Sequence, residues 1–163
     1  MTARRLTAYI VLIGALAVPV SANAQLFGGI TAARADNIFG GTSGMGGVLG
    51  VDFPILPLDA FVAGTWFFPD CDGCDLKGWS LGANLRLPIP MVRPYLTGGM
   101  TWRDVGLGDE TINPLAENDD SGVFAGAGVD LAIASFRLFL EGRYEFLDGD
   151  LGQAVVRMGV MLR

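Results

Sequence analysis

The chain has 163 residues, 51% of them hydrophobic, and a formal net charge of −6, which bounds it to one domain. An acidic chain with no basic cluster lacks the electrostatic footprint of a nucleic-acid binder. It contains no histidine, the commonest general base and metal ligand, and its 24 glycines disfavour a helical bundle.

The N-terminus reads as an export signal. Arg4 and Arg5 form a positive region, Leu6 to Val20 is an apolar run, and Ser21-Ala22-Asn23-Ala24 supplies the small-x-small pattern of a cleavage site. The alternative is an uncleaved anchoring helix, but the run is short against the ~20 residues a spanning helix needs. Residues 1–24 are therefore predicted to be a removed secretory signal and 25–163 the mature domain. Losing Arg4 and Arg5 takes the formal charge from −6 to −8.

Eight strands follow, at roughly 26–34, 44–53, 58–68, 77–87, 94–104, 122–133, 136–146 and 154–163, each called from a period of two. The first is too irregular to fix its facing. In the second, Leu49, Val51 and Phe53 share a face; in the third, Leu58, Ala60, Val62, Trp66 and Phe68 do. The fourth, Trp79-Ser80-Leu81-Gly82-Ala83-Asn84-Leu85-Arg86-Leu87, alternates without a break. The fifth sets Leu96, Met100 and Trp102 against Tyr95, Thr97, Thr101 and Arg103. The sixth sets Val123, Ala125, Ala127, Val129, Leu131 and Ile133 against Gly126, Gly128 and Asp130. In the seventh, Phe136, Leu138, Leu140, Tyr144 and Phe146 oppose Arg137, Glu141, Arg143 and Glu145; in the eighth, Ala154 to Leu162 oppose Arg157.

Connections alternate between short turns (54–57, 88–93, 134–135) and longer acidic, Gly-rich loops (35–43, 69–76, 105–121, 147–153). That asymmetry, with an even strand count, is the pattern of a transmembrane barrel. A soluble lipocalin-like barrel would turn its apolar face inward. The charges on the polar faces decide between the two. Asp52, Asp59, Asp130, Glu141 and Glu145 balance Arg86, Arg103, Arg137, Arg143 and Arg157, as a narrow lumen requires, because buried charges must be paired. The expectation is an all-β, eight-stranded antiparallel up-and-down barrel with an apolar exterior and a polar, side-chain-filled interior. Trp66, Phe67, Phe68, Trp79 and Trp102 are expected to form an aromatic girdle at its loop end.

With an exported N-terminus, eight strands, Gly-Ala-Gly-Val-Asp at 126–130 and Leu-Glu-Gly-Arg-Tyr-Glu-Phe at 140–146, the chain resembles the outer-membrane β-barrel domain family. That family includes the small OmpX- and OmpA-type barrels and the opacity-type adhesins. The resemblance spans the mature chain and implies an architecture and an outer-membrane location in a Gram-negative-type bacterium, but no particular activity. It also implies insertion by the barrel-assembly machinery. Family members typically end in an aromatic residue, whereas this chain ends Val160-Met161-Leu162-Arg163.

Little of the sequence suggests chemistry. Outer-membrane barrel enzymes typically use a histidine, so none of their mechanisms maps here. Glu141 and Glu145 lie about 13 Å apart along one strand face at ~3.3 Å per residue, beyond the roughly 5–9.5 Å of a glycosidase pair. Arg143 between them points to ion pairing instead. Cys71 and Cys74, the only cysteines, sit in Asp70-Cys71-Asp72-Gly73-Cys74-Asp75. A disulfide pinning the loop tip is the first reading in an exported protein. A redox pair and a weak cation site at Asp70, Asp72 and Asp75 are the alternatives. The expectation is a non-enzymatic, cofactor-free monomer with a structural or surface-interaction role. Its acidic loops would face outer-membrane lipid and lipopolysaccharide, bridged by divalent cations, and it would bind no nucleic acid. A narrow porin-like channel for small solutes or hydrophobic compounds is the alternative.

Overall fold

The computed structural model describes residues 24–37, 40–53, 56–69, 75–87, 89, 92–106, 118–133, 135–148 and 152–162. Residues 1–23 of the expected signal at 1–24, Asp70, Asp72 and both cysteines lie outside these residues, so the disulfide reading does too. The strands are β1 (Gln25–Asn37), β2 (Gly40–Phe53), β3 (Leu58–Phe68), β4 (Asp75–Arg86), β5 (Val92–Gly106), β6 (Asn118–Ile133), β7 (Phe136–Leu147) and β8 (Gln153–Leu162). They form a closed barrel in chain order, every neighbour antiparallel, with β8 pairing back to β1.

The ladders run past the predicted ends at the loop side. Position 36 was expected in a loop yet pairs within β1, and positions 119 and 120 pair within β6. Strand hydrogen bonding there outlasts the alternation of apolar and polar residues, because beyond an apolar band water can meet both faces of a strand.

Closure fixes the stagger. Phe27 pairs with Gly50, Gly50 with Phe61, Phe61 with Gly82, and Gly82 with Gly99. Gly99 then pairs with Phe124, Phe124 with Glu145, and Glu145 with Gln153. The β8–β1 register, in which Ala154 faces Asp36, sets Gln153 against position 37, ten residues beyond the starting Phe27. In eight strands that shear corresponds to a tilt of about 43° at ~3.3 Å per residue. About eleven residues at that slope rise about 27 Å, the height of a bilayer's apolar band.

The facing is inside-out. Among the described residues, twenty-six large apolar side chains are at least 39% exposed, including Leu26, Leu49, Leu96, Leu140 and Met158. Each would cost about 1–2 kcal/mol to leave in water, so this surface belongs against hydrocarbon. β1, unresolved by its sequence pattern, points Phe27, Thr31, Ala33 and Ala35 inward and Leu26 and Ile30 outward.

The interior is largely polar, as expected, but an apolar layer crosses it. Phe27, Val48, Phe61, Ala63, Phe124, Phe139 and Met161 form a buried apolar layer across the lumen. Glycines on neighbouring strands make room for its rings. A Cβ on Gly82 would sit 2.7 Å from Phe124 Cζ and 3.0 Å from Phe61 Cζ, and one on Gly159 would sit 2.6 Å from Phe139 Cε1. An eight-stranded bore is only wide enough for side chains to fill, so each large ring needs a neighbour with none.

Phe67 corrects the sequence reading. It was expected in the outer girdle but points inward, packed with Ala33, Ala35 and Val155. Parity decides this: Trp66 and Phe68 on either side are half exposed, so the ring between them must face the bore. Trp79 is also half exposed and Trp102 partly so.

Candidate functional site

The apolar layer divides the charged lumen into two clusters. All ten charged residues expected on the polar faces are 8% exposed or less. They sort by height into groups the sequence could not define.

At the turn end, Asp52 and Asp59 are register partners on β2 and β3, with Asp130 on β6. Two guanidiniums serve all three carboxylates. Arg86 reaches Asp52 at 3.1 Å and Asp130 at 3.4 Å, and donates a close hydrogen bond to Asp59. Arg137 lies 3.1 Å from Asp52, 3.9 Å from Asp59 and 3.8 Å from Asp130. A guanidinium carries five N–H donors in a planar fork, which is what lets one arginine bridge several carboxylates. Three acids against two bases leave one negative charge. Arg93, which the sequence reading did not include, stands opposite Asp130 in the β5–β6 register.

At the loop end the balance reverses, with three arginines and two glutamates. Glu145 is fully buried. Its Oε2 accepts from Arg103 Nη2 at 2.6 Å, Arg103 Nε at 3.2 Å and Gln153 Nε2 at 2.6 Å, while Oε1 accepts from Arg143 Nη2 at 2.6 Å. Glu141 pairs through Oε1 with Arg157 at 3.5 Å and Arg143 at 3.8 Å, and its Oε2 accepts from the Tyr95 hydroxyl at 3.2 Å. Arg143 also donates to Ser80 Oγ at 2.9 Å.

Rings support the guanidiniums from below and beside. Arg143 stacks 4.5 Å from the centroid of Phe124, and Arg103 4.3 Å from that of Phe67. The inward turn of Phe67 thus has a partner as well as a parity. Tyr95, Ser80 and Gln153 were not among the expected charge network. Tyr95 and Ser80 share its parity on β5 and β4, so the signal was present. Gln153 lies one residue before the predicted start of its strand.

Glu141 and Glu145 are both tied into guanidinium pairs. No group of three or more potential metal ligands occurs among them. Of the candidate cation ligands Asp70, Asp72 and Asp75, only the backbone of Asp75 falls within them, at the start of β4.

No protein-family model matches the chain, and no curated protein matches it in sequence. Solved structures do match in shape. Neisserial surface protein A aligns at 20% identity over 85% of this chain and 97% of that one, with a TM-score of 0.57. The N-terminal β-barrel domain of Pseudomonas aeruginosa OprF aligns at 17% identity over 85% and 98%, with a TM-score of 0.61. Ail, the attachment invasion locus protein of Yersinia pestis, aligns at 15% over 85% and 96%, with a TM-score of 0.58. An apolar exterior, a shear of ten and a lumen filled by paired charges and rings go with that likeness: the chain has the fold of the small eight-stranded outer-membrane barrels.

Proposed function

We propose that this protein is a non-enzymatic integral protein of the bacterial outer membrane with a structural or surface-interaction role. In that reading it is a rigid barrel that presents its acidic loops outside the cell. The observation that carries this reading is the lumen: its carboxylates are engaged by arginines, and a layer of buried apolar side chains lies between the two charged clusters. A barrel whose inside is committed to holding itself together acts through what it displays. The fold likeness to proteins described as a surface protein and an attachment locus supports the same direction.

The signal at 1–24 would be cleaved on export, the assembly machinery would insert the barrel, and it would act as a monomer. Lipid would cover the apolar band, and lipopolysaccharide would meet the acidic loops through divalent cations. No cofactor is required and no nucleic acid is bound.

Three measurements on one preparation test this. The outer-membrane fraction should contain the protein with a gel mobility that shifts on boiling. A tag inserted in loop 107–117 should be reached by antibody on intact cells. Recovery in the soluble periplasm, or a tag reached only after lysis, would overturn the reading. Planar-bilayer recordings should show no stable open-pore conductance; steady openings would favour the channel alternative.

A further inference from the structure

The loop-end cluster has more donors than its acceptors use. Glu145 accepts four hydrogen bonds and both oxygens of Glu141 are engaged. Arg103 Nη1, Arg143 Nε, Arg143 Nη1 and Arg157 Nε still find no hydrogen-bond acceptor among the described residues. All three side chains are more than nine-tenths buried. They line one narrow slot, together with Thr65 and Ser80. Buried charged donors without acceptors are costly, and here they converge where positive charge is in excess.

We propose that this slot is a binding site for a small inorganic anion, with Arg103, Arg143 and Arg157 as its donors and Ser80 and Thr65 as hydroxyl contacts. The slot is nowhere as wide as a water molecule in this side-chain arrangement, so seating the anion requires a guanidinium to turn. Arg103 would do so by exchanging its bonds to Glu145 for bonds to the anion. Its Nη1 lies 2.9 Å from where a Cβ on Gly78 would be, so the wall beside it carries no side chain. The anion would offset the excess charge of this cluster, leaving the turn-end cluster untouched.

The test is ³⁵Cl NMR on the full-length barrel folded in uncharged detergent, because chloride held briefly by a protein broadens the bulk line. The expected result is broadening above that of empty micelles, reduced at least twofold by millimolar phosphate and by Arg103→Gln. Ser80→Ala, which removes only a hydroxyl, should reduce it in part and serves if Arg103→Gln fails to fold. Arg34→Gln, at an exposed arginine on the outer face of β1, should leave it unchanged. Broadening no greater than that of micelles, unaltered by both lumen substitutions, or abolished by Arg34→Gln would each overturn the proposal.

Discussion

Glu145→Gln tests whether the lumen charges hold the barrel together. Glu145 is fully buried and receives four donors from Arg103, Arg143 and Gln153. The amide keeps the shape but offers one acceptor oxygen, and its NH₂ would face other donors. The cluster would then hold three guanidiniums against Glu141 alone. Summing four charge-assisted bonds at about 1.5–3 kcal/mol each gives about 6–12 kcal/mol. That sum overstates the loss, because the arginine tips can swing toward the slot and recruit water. Breaking a buried pair by removing one partner costs about 3–5 kcal/mol, which is the expected magnitude. With a urea slope of about 2 kcal/mol/M, the unfolding midpoint in lipid vesicles should fall by about 1.5–2.5 M, read by the loss of the fast-migrating gel form. Arg143→Met combined with Glu145→Gln should cost at least 1 kcal/mol less than the two changes summed. Asp148→Ala, which removes an exposed 3.1 Å bond from Ser121, should stay within about 0.5 kcal/mol. A midpoint shift under about 0.5 M for Glu145→Gln, or strict additivity with Arg143→Met, would refute the reasoning.

Two glycines should respond oppositely to alanine in the same assay. Gly82→Ala places a methyl 2.7 Å from Phe124 Cζ and 2.8 Å from the Gly98 carbonyl, an overpacking cost of about 1–3 kcal/mol. Gly142→Ala meets nothing within 4 Å and should be neutral or stabilising by about 0.4–1 kcal/mol. Phe124→Ala removes a ring that meets Phe61 at 6.3 Å and carries the Arg143 guanidinium. It should cost about 3–5 kcal/mol and raise ion leak in a vesicle dye-release assay; unchanged leak would mean the ring layer does not seal the bore. Leu140→Arg, at an outward position midway along β7, should destabilise the barrel in lipid by about 2–4 kcal/mol. Leu26→Arg, near the strand end, should cost about 0–1 kcal/mol, and equal effects would sink the assigned membrane depth.

The period of two in β2 to β8, with five acids and five arginines on one parity, was enough to determine the facing and the ten charged residues of the lumen. Alternation is local, since a strand's neighbours two residues apart share a face wherever the strand ends up. Which charge meets which was not local. Arg137 and Asp52 are 85 residues apart and meet at 3.1 Å only because the sheet closes with a shear of ten. The same stagger splits a balanced set of charges into a turn-end group short of one cation and a loop-end group with one to spare.

The phenylalanine layer escaped the pattern because Phe61, Phe124 and Phe139 each stand between two outward apolar residues. A run of three hydrophobics hides its inward member, as it hid Phe67. Parity within the run contained the answer. What made it physically acceptable, a glycine opposite each ring, belongs to neighbouring strands and comes together only in the closed barrel.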